Sequence, residues 1–129
     1  MIRVAFIVMA ILSLALATSA VARPVTVTLT ATASAANDVS GNATVNCARG
    51  NTAINIHLEN LEAGRYLILF RGNGQEPLSV GLVRVNQSGQ GNAHFNFKNC
   101  PLGRFAELVV MRGRTEVLRG GVPAADSAQ

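Results

Sequence analysis

The chain has 129 residues, a formal charge of +4, 49% hydrophobic and 14% charged residues, two cysteines and no tryptophan. That length suits one domain. The small charge excess and the single tyrosine argue against nucleic-acid binding, and the composition argues against a disordered chain.

The hydrophobic residues are unevenly placed. Residues 1–22 read MIRVAFIVMAILSLALATSAVA, with Arg3 as a short positive start and residues 4–17 apolar except for Ser13. Ala20 and Ala22 supply small residues at −3 and −1 of a cleavage site, and a second cut after Ala20 is the alternative. The apolar run is shorter than the roughly 20 residues that span a bilayer. Residues 1–22 are therefore read as a signal peptide and residues 23–123 as one exported domain, periplasmic or extracellular. Residues 124–129 are read as a disordered tail, and no span is expected in the mature chain. Export leads to an oxidising compartment, so Cys47 and Cys100 are expected to form one disulfide. In the chain-entropy view, a loop of that length stabilises by up to roughly 4 kcal/mol.

From residue 25 onward the pattern has a period of two, punctuated by turn residues. Residues 25–33 (VTVTLTATA) put valine, leucine and alanine on one face and threonine on the other. Residues 42–47 place Ala43, Val45 and Cys47 together. Residues 52–59 turn Ile54, Ile56 and Leu58 inward and Asn55, His57 and Glu59 outward. Residues 65–71 (RYLILFR) are apolar on both faces, which predicts a central strand. Residues 72–77 read as a loop, and residues 78–86 as a strand in which Gly81 signals a bulge or a close backbone approach. Residues 92–98 turn Ala93, Phe95 and Phe97 inward and His94, Asn96 and Lys98 outward. Residues 105–111 are again apolar on both faces, and residues 115–119 form a short last strand. Seven to eight strands with short connections predict an immunoglobulin-like antiparallel β-sandwich, with a small β-barrel as the alternative.

Residues 61–91 (LEAGRYLILFRGNGQEPLSVGLVRVNQSGQG) carry L-x-x-G-x-Y, a proline-containing loop, S-x-G-x-(aliphatic) and N-x-x-G-x-G. This segment resembles the C-terminal domain of anti-sigma-K-type regulators and, more distantly, CHRD and copper–zinc superoxide dismutase-like sandwiches. The resemblance implies an extracytoplasmic sandwich. The His-x-His pair of the last two patterns is absent, and so are the sigma-binding helix region and ordinary membrane span of the regulators, so neither a dismutase nor a regulator role is expected.

The residues offer no nucleophile elbow, no blue-copper ligand spacing and no phosphate loop ahead of a helix. The expected function is a non-enzymatic binding or structural module, without a cofactor, whose partner is a protein or a cell-envelope component. Two alternatives name sites. His57 and His94, with Glu59 as a third ligand, could hold a metal ion if their strands were neighbours; otherwise they are solvated surface residues. Arg104, Arg112, Arg114 and Arg119 could form a C-terminal cluster for an anion or polysaccharide; otherwise they solvate strand ends.

Overall fold

The structure is a computed structural model that describes residues 24–33, 35 and 38–123. The expected signal peptide, residue 23 and residues 124–129 lie outside the described residues. Eight antiparallel strands follow one another: β1 (Val25–Ala31), β2 (Ser40–Ala48), β3 (Asn51–Glu59), β4 (Gly64–Gly72), β5 (Gln75–Val85), β6 (Gly91–Lys98), β7 (Glu107–Arg112) and β8 (Thr115–Gly121).

Hydrogen bonding links all eight into a single sheet in the order β5-β4-β7-β8-β1-β2-β3-β6. Its terminal strands, β5 and β6, pack against each other, so the sheet curls into a nearly closed barrel. The expected immunoglobulin-like sandwich is corrected accordingly. The reason lies in one seam. β5-β4-β7-β8 and β1-β2-β3-β6 would be the two sheets of a sandwich, but Thr30 pairs with Arg119 and Ala31 with Leu118 and join them. Gly120 permits that seam, because a Cβ there would collide with the Thr28 carbonyl oxygen.

Alternation determines which side chains fill the interior. Val27, Leu29, Val45, Ile54, Leu58, Tyr66, Ile68, Phe70, Val83, Leu108, Val110 and Leu118 form one core and are almost entirely excluded from water. Each large aliphatic side chain buried this way contributes about 1.5–3 kcal/mol before the entropy of ordering is set against it. Leu61, Leu102 and Phe105 come from loops and close the ends, with Phe105 5.9 Å from the Phe70 ring. β4 is an interior strand, as its two-sided apolar pattern predicts, and β7 is interior beside it. Leu69 and Val109 lie on their outer face and are buried there, apart from the core cluster.

Two local features differ from the sequence reading. The loop expected at residues 72–77 is a two-residue turn, Asn73–Gly74, with both residues at positive φ (57° and 72°). This is the conformation that suits the twist of a hairpin. Pro77 therefore sits inside β5, tolerated because β5 ends the hydrogen-bonded order. Gly81 fulfils both expectations made of it. A register shift falls beside it between Ile68 and Leu69, and the Phe95 ring of β6 occupies the space a Cβ would take.

Cys47 and Cys100 form the expected disulfide, across 53 residues with Cα atoms 5.6 Å apart. It ties the end of β2 to the β6–β7 connection. Thr52, a buried polar residue, reinforces this corner by donating its hydroxyl to the Asn99 carbonyl at 2.9 Å.

Candidate functional site

The outer face of β1, β2, β3 and β6 is polar, and the register arranges its side chains in rows. Thr28, Asn42, His57 and Asn92 lie side by side across the four strands. Thr26, Thr44, Asn55 and His94 form the next row. Asn46, Ala53 and Asn96 form a third. A shallow depression on this face is lined by Asn42, Thr44, Asn55, His57, Asn92 and His94, among others. These positions are outward for the same reason that their neighbours are inward. Ala43, Val45, Ile54 and Ile56 occupy the alternate positions and are buried.

The two histidines are wired differently. His57 Nδ1 is 2.6 Å from Asn92 Oδ1, and Nε2 is 2.8 Å from Glu59 Oε1. Both partners are acceptors, so both ring nitrogens donate, which is the pattern of the imidazolium. The hydrogen bond to Glu59, followed by that to Asn92, raises the His57 pKa above its ordinary 6.5. His94 faces one acceptor and one donor: Asn55 Oδ1 is 2.7 Å from Nδ1, and Asn96 Nδ2 is 3.1 Å from Nε2. That arrangement suits the tautomer with its proton on Nδ1.

The structure thus makes the strands of His57 and His94 neighbours, which was the condition for the metal reading. It does not assemble the ligand set. Among the described residues, no three histidine, cysteine, aspartate or glutamate side chains are grouped to hold a metal ion. His57 and Glu59 bond to each other, and His94 is engaged by Asn55 and Asn96.

The four C-terminal arginines are not gathered either. Arg112 and Arg114 flank the β7–β8 turn, whereas Arg104 lies before β7 and so at its opposite end. Arg119 pairs with Val109 and Thr30 in the body of the sheet. Arg112 is already occupied: Nη1 donates to Glu62 Oε2 at 2.6 Å, and the guanidinium lies 5.7 Å from the centre of the Tyr66 ring. The Arg104 guanidinium lies 5.6 Å from the centre of the Phe105 ring.

Sequence reasoning did not foresee the asparagines that hold the histidines. Their outward positions were legible from the alternation, but the pairing of β3 with β6 was not. It also missed Arg71, which bridges Glu107 (Nε to Oε1, 2.6 Å) and Glu116 on the outer face of β4-β7-β8. That hydrogen bond holds the Glu116 carboxyl below its ordinary pKa.

No known family model matches the chain, and no curated protein matches it in sequence. The likeness of residues 61–91 to regulator and dismutase-like sandwiches therefore rests on the quoted motif residues alone.

Proposed function

We infer that this protein is an exported, non-enzymatic binding module whose binding face is the asparagine-, threonine- and histidine-lined surface of β1-β2-β3-β6. The observation that carries this reading is the pre-set hydrogen-bond network of that face. His57 is held by Asn92 and Glu59, and His94 by Asn55 and Asn96, so little side-chain entropy remains to be lost when a partner docks. Amides, hydroxyls and imidazoles supply donors and acceptors at closely spaced positions. They suit a polar partner, a protein or a component of the cell envelope, more than an apolar one. The Cys47–Cys100 disulfide is compatible with an oxidising compartment.

A photo-crosslinking residue at Asn42, on this face, tests the reading against the same residue at Asn73, in the β4–β5 turn. Adducts from the exported fraction at position 42 and not at 73 are expected. Adducts at both positions or at neither, or catalytic turnover lost on His57→Ala, would overturn it.

A further inference from the structure

A second surface lies on the opposite half of the barrel. On the outer face of β4 and β5, Arg65 stands directly across from Arg84. Like charges in such a pair lie about 5 Å apart at Cβ and destabilise the sheet unless an anion neutralises them. Among the described residues, neither arginine has a carboxylate within salt-bridge reach. Glu62, three residues before Arg65, is engaged by Arg112. Both arginines are exposed, and they line a shallow depression together with Gly64, Asn86 and Gln87.

The next row on the same face is apolar. Leu82 pairs with Leu67, and Leu67 with Met111. Leu82 is 57% exposed, the one large hydrophobic residue so exposed among those described. The alternation explains the arrangement: Val83 and Val85 point into the core, which leaves Leu82 and Arg84 outward. Nothing in the core requires a leucine at position 82.

We propose that the outer face of β4-β5-β7 is a peripheral docking surface for an anionic membrane. Arg65 and Arg84 bind headgroup phosphates there, and Leu82, flanked by Leu67 and Met111, enters the boundary of the acyl chains. Charge complementarity selects this occupant. A guanidinium pair presents several donors to phosphate oxygens, and an adjacent apolar residue adds attraction that a soluble anion cannot use. The Arg112–Glu62 pair keeps the neighbouring turn in place without adding free charge. The surface is separate from the asparagine and histidine face and does not depend on it.

Vesicle co-sedimentation tests the proposal, comparing phosphatidylglycerol-containing with purely phosphatidylcholine vesicles. All variants are prepared in the form in which the cell accumulates the protein, so that residues 1–22 are treated alike in each. Salt-sensitive binding confined to the anionic vesicles is expected. Arg65→Gln with Arg84→Gln should lower it roughly thirtyfold, given the attraction of each basic residue to an anionic surface. Leu82→Ser should lower it by about tenfold at unchanged charge. Arg49→Gln with Arg104→Gln removes the same charge from elsewhere and should have a much smaller effect. Equal binding to both vesicle types, or an equal loss in the control pair, would overturn the proposal. So would the same affinity for inorganic phosphate or a soluble acidic polysaccharide in wild type and Leu82→Ser with no vesicle binding; that result would assign the arginines to a soluble anion.

Discussion

His57 shows how much one side chain's neighbours decide. Its two acceptors favour the charged ring, and the larger effect comes from Glu59. A group whose pKa is raised on folding adds stability below its unfolded value, here near 6.5, and loses it as pH rises through the higher folded value. An NMR titration should therefore place His57 above 6.5, and Glu59→Gln should bring it down. An unchanged midpoint in Glu59→Gln would count against the pairing. Gly81 makes a steric counterpart. Gly81→Ala drives a methyl group into the Phe95 ring and should cost about 1–3 kcal/mol in chemical denaturation. Phe95→Leu relieves the clash, so the double variant should be more stable than the sum of the single changes predicts. Strict additivity would mean that the ring is not the obstacle.

At the scale of strands, the outer face of β4-β7-β8 is stabilised by an ion network as well as by alternation. Arg71 spans Glu107 and Glu116, and Leu69 and Val109 are buried on the same face. All three charged side chains are a little over a quarter exposed, so solvent screens them and the network is worth less than a buried one. Arg71→Ala removes two charge-assisted bonds and an aliphatic stem, and should cost about 1–2 kcal/mol. The Arg71 bond depresses the Glu116 pKa, so its contribution is present above the ordinary 4.5 and disappears as pH falls through the lower folded value. Thermal unfolding against pH should show a shallower acid limb in Arg71→Ala. A limb parallel to wild type would remove this explanation. The strand pattern itself was legible, because inward and outward residues alternate in nearly every strand. The two-sided apolar strand β4 was also expected in the interior of the sheet, where it lies. The Asn73–Gly74 turn was missed because Gln75, Glu76 and Pro77 resemble a continuing loop until β5 is seen to be a terminal strand.

The whole molecule is one curled sheet closed by side chains and tied by one covalent bridge. Phe95 seated on Gly81 fills the junction of β5 and β6, and no ladder joins those strands among the described residues. The disulfide constrains a different corner, so its loss should leave the barrel intact but less stable. Cys47→Ala with Cys100→Ala is expected to lower the unfolding free energy by about 2–4 kcal/mol. A denaturation midpoint unchanged by the double replacement would show that the bridge contributes nothing measurable. The hydrogen-bonded seam between β1 and β8 is only two residue pairs long, yet it separates a barrel-like sheet from a sandwich.

By itself, the sequence determined the all-β class, the approximate strand positions, the face on which each residue lies and the pairing of the two cysteines. All of these follow from the two-residue period and from cysteine number, which are local or arithmetic properties. The tertiary structure decided which strands became neighbours, because that depends on register, on close backbone approach at Gly120 and on the seating of the Phe95 ring against Gly81. It therefore decided that His57 and His94 share a face without forming a metal group. It also dispersed the C-terminal arginines and set Arg65 across from Arg84 beside an exposed Leu82.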